Sequence, residues 1–409
     1  MGKKLPLLIC TLLLSAGPLL AQTYNEEAKE DLESLKPGTT NFLMRGYSHA
    51  GFEVIDGNSS FVSGIFAPIF LWKQGDRLLF ESEMEIEFEG DGVQFALEYA
   101  NISYLLNDYL IVRFGNFLTP FGAFNDRLHP AWINKLPTAP LGMGHDPVGP
   151  TTEFGAELRG GAPIGDTKIN YSLYVSNGPI LEVHAEDSLE APTTSMNGLN
   201  FDDNNDDKAI GGRIGFLPFD NSVVEVGVSG QYTTGIGDRN TEFENVAALS
   251  YAFDLSVVKN SISAIKGNID LKAQWNQVDV DEFYIELPDG DEQAINQENS
   301  AYYVQLGYRP ALSKNNFLNK LEFVGRYSGI DLTEAAEHDE EAQPKLFSTP
   351  SLLASIGEEE EVHNEGDRTQ WAFGVNYWIT WRSALKFSYQ VTDNEESVPG
   401  LFIHYALGF

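Results

Sequence analysis

Five glutamates occupy alternate positions, Glu81, Glu83, Glu85, Glu87 and Glu89. In an extended strand that spacing puts every carboxylate on one face. The other face carries Phe80, Ser82, Met84, Ile86 and Phe88. A carboxylate row attracts cations if it stays hydrated, and charge at bilayer mid-depth costs a few kcal/mol per residue. If the apolar face meets lipid, the acidic face must therefore meet a polar interior. Taken alone, the segment fits a solvated edge strand of a soluble sheet equally well.

Basic residues recur on the matching parity of other strand-like segments: Arg113, Arg159, Lys168, Arg213, Lys266, Lys272, Arg309, Arg326 and Lys386. Around Lys266 and Lys272 the opposite face is apolar, with Ile265, Ile269, Leu271 and Trp275. Glu81, Glu83, Glu85 and Glu87 on one side, with Arg113, Arg159, Arg213, Lys272 and Arg326 elsewhere, are the expected pore-lining set. Separated acidic and basic positions would set a transverse field that filters polar solutes by size and charge. The plainer alternative is that these charges pair and hold the wall together.

The elements that position these groups read as strands from end to end. Period-two segments occur at 40–55, 60–72, 78–89, 93–104, 109–118, 152–162, 167–177, 208–217, 222–234, 243–258, 265–279, 299–309, 319–330, 368–380, 384–393 and 400–409. Sixteen is an even number, as single-chain bacterial barrels require. The last segment alternates Leu401, Ile403, Tyr405, Leu407 and Phe409 against smaller or polar residues. Connections sort into short turns, such as Pro163–Asp166 and Trp381–Ser383, and long loops at Thr119–Thr151, Asn177–Asp207, Val280–Glu298 and Asp331–Asp367. All four long loops fall on one side. The fold class is all-β, a transmembrane antiparallel β-barrel of about sixteen strands with short periplasmic turns and long extracellular loops.

Targeting agrees with that class. Residues 1–21 form a signal peptide, with Lys3 and Lys4 ahead of an apolar run and Ala21 at its end,. Residues 22–38 are a polar periplasmic segment, and 39–409 are the barrel. The single cysteine, Cys10, falls in the signal, so the mature chain has no disulfide or thiolate chemistry,. Hydrophobic residues make up 42 % and mean hydropathy is −0.22, values that barrels share with soluble proteins because only alternate residues meet lipid,. The formal charge of −34 becomes −36 on loss of the two signal lysines, which excludes nucleic acid as a partner,. The expected localisation is the outer membrane of a Gram-negative bacterium.

The loop Thr119–Thr151 is long enough to be functional,. Pro120, Phe121, His129, Trp132 and His145 are its expected constriction residues, folded into the lumen. The run Arg113-Phe114-Gly115-Asn116-Phe117-Leu118-Thr119-Pro120-Phe121-Gly122 resembles the G-x-F-x-x-P-F-G stretch of the phosphate-selective porin O and P family. In that family the stretch sits where a strand enters the constricting loop. The resemblance implies a passive outer-membrane porin, commonly trimeric, whose terminal aromatic, here Phe409, is read by barrel-assembly machinery. Anion-selective members carry many basic pore residues, whereas this chain has 26 basic against 60 acidic residues. The composition therefore points to small hydrophilic solutes or ions with modest cation preference, and phosphate selectivity stands as the alternative.

Other chemistry finds no support in the spacing. Asp202 to Asp207 lacks the glycine and the bidentate glutamate of a calcium loop, Arg213 standing at the twelfth position,. The acidic runs Glu334–Glu341 and Glu358–Glu361 read as solvated loop. Histidines are scattered without ligand spacing, and His404 is the one expected on an inward strand face,. No nucleophile elbow or P-loop occurs, so no cofactor, metal or enzyme activity is expected. A barrel enzyme or a plugged structural barrel remains the competing class.

Overall fold

The computed structural model describes residues 42–62, 64–89, 92–144, 148–184, 193–197, 200–201, 203–286, 292–311, 315–332, 367–393 and 397–409. The signal peptide, the polar segment, His145, Asp202 and both long acidic runs lie outside the described residues.

Strands β1 (Phe42–Ile55), β2 (Asn58–Val62), β3 (Ile65–Gln74), β4 (Leu78–Glu89), β5 (Gly92–Asn107), β6 (Leu110–Leu118), β7 (Thr152–Ile164) and β8 (Thr167–Ser176) form one half of the wall. The short β9 (Ile180–His184) and β10 (Thr193–Asn197) pair as a separate loop hairpin. The wall resumes with β11 (Ala209–Leu217), β12 (Val224–Thr233), β13 (Ala248–Ile262), β14 (Gly267–Glu286), β15 (Glu292–Pro310), β16 (Leu321–Asp331), β17 (Arg368–Thr380), β18 (Ser383–Asp393) and β19 (Ser397–Gly408). Because β2 and β3 are two pieces of one wall strand, the barrel has sixteen, all antiparallel to their neighbours. Two short helices, α1 (Phe124–Leu128) and α2 (Asn316–Asn319), sit in connections.

Closure is made by β1 on β19, in register from Tyr47 opposite Gly408 to Ile55 opposite Gly400. Beyond that ladder Phe409 donates its amide to the Gly46 carbonyl at 2.9 Å and accepts from the Gly46 amide at 3.1 Å. Its ring stacks on Phe66. A closed ladder leaves no strand edge unpaired, which is the condition for crossing lipid with strands.

The alternation sets the two faces. Leu173, Val226, Phe323, Phe373 and Phe387 are exposed on the outside, and Tyr327, Trp371 and Phe373 stack along it. Their opposite neighbours face inward. Connections at one end are short, and the long ones, β6–β7, β8–β11, β12–β13 and β16–β17, all lie at the other end, beside short turns such as Asp56–Gly57. One loop differs: Val280–Glu298 is mostly strand, because β14 and β15 continue to Glu286 and from Glu292. The reason lies in parity. Past Asn276 the polar residues Gln277, Asp279 and Asp281 take the outer positions and Val278 and Val280 turn inward, buried. The hairpin therefore leaves the apolar band and encloses an apolar cluster of its own with Ile285, Ile295, Ile330, Met143 and Val148.

Candidate pore and its inner loop

The strand β6 delivers the chain into the loop 119–151, and this loop turns into the barrel. At the turn, Gly122 has φ +62, and a Cβ there would collide with the Gln274 carboxamide. Its amide donates to Ser229 Oγ at 2.9 Å, while the Ala123 and Phe124 amides both donate to Gln274 Oε1, at 2.7 and 2.9 Å. Phe121 is buried, and Pro120 with it. These contacts explain why a glycine stands after Pro120-Phe121. They also give the inward Gln274 a role that strand parity does not reveal: its carboxamide is the acceptor for the loop entry.

The loop then runs the depth of the barrel. Trp132 lies against Gly408 and meets Trp381, in the β17–β18 turn at the short-turn end, edge to face at 6.0 Å. The Lys386 ammonium of β18 donates to the carbonyls of Ala131, at 2.6 Å, and Asn134. Lys135 is ion-paired with Glu322 of β16 at 2.5 Å and Asp270 of β14 at 3.2 Å. Leu136 is fully buried beside Gly374. Arg326 donates to the Thr138 carbonyl at 2.7 Å and its hydroxyl at 3.0 Å. Asn276 finally takes the Val148 carbonyl at 2.8 Å.

This seat covers one half of the wall. Inward residues of β14 from Asn268 to Val280, of β16 from Glu322 to Ile330, and of β18 from Ala384 to Gln390 are all buried. Arg326 and Lys272, read from sequence as facing open lumen, point inward but lie beneath the loop, 1 % and 5 % exposed. On β4, β5, β7, β8 and β12 the inward Glu81, Glu87, Glu98, Arg159, Asn170, Ser172 and Glu225 keep part of their surface open to water.

Two charged sectors border that remaining space, although Glu83, Glu85, Arg113 and Arg213, expected to line the pore, are themselves buried. In the first, Glu81, Glu83, Glu85 and Glu98 project from β4 and β5, with Tyr47 donating to Glu85 at 3.1 Å and Tyr99 to Glu81 at 3.3 Å. A bulge between Glu83 and Met84 adds Glu98 to the strip, which the period-two reading of β4 alone could not reveal,. His129 Nε2 of the loop stands 3.7 Å from Glu83, an ion pair longer than a hydrogen bond, and its Nδ1 approaches the Asn125 carbonyl at 2.5 Å. Burial works against its charge, but Glu83, Glu98 and that carbonyl push the imidazole up to about 9.

The second sector is basic but neutralised. Arg113 meets Glu157 at 3.1 Å, and Arg159 lies between Glu157 at 3.7 Å and Asp126 at 3.9 Å. Arg127 of α1 meets Glu225 at 2.8 Å, and Arg213 meets Asp254 at 2.6 Å and Glu225 at 3.2 Å. Burial opposes charge on Asp126, yet Arg159, Arg127 and Arg113 outweigh it and hold the carboxyl below its usual range. Lys168 and Lys266 fall at the short-turn end, exposed, and Arg309 is half-buried there over the Trp378 ring. Among the described strand residues a second inward histidine joins His404: His49 stacks on His404, whose Nε2 is 2.7 Å from Glu53. No cluster of metal-ligating residues is present among the described residues.

No family model matches the sequence, and no curated protein is similar to it in sequence. Solved structures are similar in fold. A loop-deletion form of OmpT, an outer membrane protein of Vibrio cholerae, aligns over 90 % of this chain and 99 % of its own, at 11 % identity and TM-score 0.50. An anion-selective porin from Comamonas acidovorans aligns over 90 % and 99 %, at 12 % identity and TM-score 0.50. OmpF of Salmonella typhi, solved with daunomycin, aligns over 90 % and 97 %, at 10 % identity and TM-score 0.50. At such identities the likeness is one of architecture: the chain has the fold of a porin-type antiparallel β-barrel.

Proposed function

We propose that the protein is a narrow passive pore of a Gram-negative outer membrane, admitting small hydrophilic solutes and ions without a catalytic step. The observation that carries this reading is the asymmetry of the interior. The loop covers β14 to β19, while charged and amide side chains on β4, β5, β7, β8 and β12 remain accessible to water. A path along the open half would pass Glu81, Glu87 and Glu98 on one flank, with Glu83 and Glu85 buried behind them, and Arg159 and Arg127 on the other, with Arg113 and Arg213 behind.

The charge balance favours cations. Each of those four arginines has a carboxylate partner within 4 Å, so its field is largely cancelled. The acidic strip holds five carboxylates, with the His129 imidazole paired to one of them. Anion or phosphate selectivity, which the Arg113–Gly122 stretch suggests, would need unpaired cations on the path. A plugged structural barrel is the second reading, favoured by the descent of the loop to Trp381. Assembly as a homotrimer and recognition of Phe409 by assembly machinery complete the proposal.

Single-channel recording in planar bilayers under a salt gradient separates these readings. Small unit conductance with a cation-side reversal potential at low salt is expected. Folded protein that passes no current identifies the plugged barrel, and strong anion selectivity restores the phosphate role. Cross-linking in detergent and surface levels of a chain lacking Phe409 test the last two parts.

A further inference from the structure

Arg326 and Lys386 share an unusual situation. Both are 1 % exposed, and no carboxylate lies within ion-pairing distance of either among the described residues. Their partners are almost entirely groups of the loop. Lys386 donates to the carbonyls of Ala131 and Asn134, and Arg326 to the carbonyl and hydroxyl of Thr138, with Gln370 of β17 as its one wall partner. A buried cation is tolerated only where acceptors replace its water. Here the loop backbone supplies them.

We infer that the loop masks a latent cationic face of the barrel, Arg326 and Lys386, and that its seating sets the ion preference of the pore. The inference rests on the pore reading above. With the loop seated, the two cations are solvated by carbonyl dipoles and shielded from the path. With the loop displaced, they enter a wider lumen hydrated and unpaired. Of the other charges on that wall, Lys272 stays on Asp270 at 2.6 Å, while Glu322 keeps only neutral donors such as the Trp378 indole at 2.9 Å and sets one negative charge against the two cations uncovered. The loop is held mainly by Lys135, which spans Glu322 and Asp270, and by the buried Leu136.

The sign of the effect makes the inference testable. Lys135→Met deletes a cation, so its direct effect is to move the reversal potential toward cations. Unmasking moves it the opposite way. We expect Lys135→Met in the full-length barrel to give larger unit conductance and a reversal potential displaced toward anions. The triple variant Lys135→Met, Arg326→Gln, Lys386→Gln should keep the larger conductance and lose the displacement. Leu136→Ala, which loosens the same seat without touching a charge, should act in the same direction.

A second readout does not depend on current. The only cysteine of the chain is Cys10, so Lys386→Cys provides the single thiol of the barrel. A membrane-impermeant charged thiol reagent should label it slowly in the otherwise native protein and much faster when Lys135→Met or Leu136→Ala is added. Equal labelling, or a displacement toward cations, overturns the inference. If the native barrel passes no current yet labelling still accelerates, the pore reading fails and the masking stands. Heat-modifiable migration on gels confirms that each variant is folded before either measurement.

Discussion

The wall from β4 to β8 and the wall from β14 to β19 are written in the same alternation, yet they face different surroundings. On the first, inward Glu81, Arg159 and Ser172 keep contact with water. On the second, inward Lys272, Arg326 and Lys386 are sealed by a loop that begins at Thr119, far earlier in the chain. Period two decides which way a side chain points. It does not decide whether solvent or protein waits there. A lumen-facing polar residue is thus solvated at some positions of one half, beside the buried Glu83 and Arg113, and a packing contact throughout the middle of the other.

The largest effect that would break this comparison concerns neither half but the outside. Leu271→Arg or Phe387→Arg should destabilise the folded barrel by about 2–4 kcal/mol in lipid, depending on depth. Ile69→Arg, inward on β3 and opposite Glu83, should cost far less. Urea titration in liposomes measures both, and equal costs would refute the assignment of faces. Next comes the sealed half. Gly122→Val forces a branched side chain into a positive-φ turn against Gln274, a strain of about 1–3 kcal/mol. It should free the loop entry and raise unit conductance while leaving the barrel folded.

Smaller effects belong to the open half. Replacing Glu83, Glu85 and Glu87 with glutamine should move the reversal potential toward anions at low salt. Screening over about 8 Å at physiological ionic strength should shrink that difference as salt rises. An unchanged potential would mean that ions do not pass the acidic strip. The pH dependence is subtler still. His129 is raised to about 9 by its partners, so its ion pair with Glu83 contributes fully below the free imidazole value of about 6.5 and is lost as pH climbs through 9. Current fluctuations should increase over that window, and this increase should be missing from the pH profile of His129→Gln, which is already noisy at neutral pH. A wild-type trace that stays quiet to pH 10 would remove His129 as a loop contact.

Much of the architecture was legible because lipid and a polar interior impose opposite demands on adjacent residues. That is why β4, β17 and the closing strand emerge from sequence within a few residues of their observed ends. The upper end of β14 was misjudged because a reversal of parity after Asn276 resembles a strand ending. It marks instead a strand leaving the bilayer, with Val278 and Val280 inward. The Arg113–Gly122 stretch located the loop entry, since Gly122 answers to a backbone requirement that sequence displays. The seat was illegible. Lys135 finds Glu322 across 187 residues, and no local spacing encodes such a meeting. Pairing of Arg113 with Glu157 was one of two readings available, and only the three-dimensional register selects it.

The seated loop also has a bearing on the order in which the molecule is made. Its residues precede most of their anchors: Arg127 awaits Glu225, Lys135 awaits Asp270 and Glu322, and Ala131 awaits Lys386. The seam between β1 and β19 joins the two ends of the described chain. Contacts of such long sequence separation form late, since the chain must close a large loop before they reward it. Lumen sealing and closure of the seam are therefore both late acts of assembly, after the local hairpins have paired. Refolding into lipid should display the sealing as a slow change in Trp132 emission that lags the growth of β-structure, and coincident time courses would disprove the sequence of events.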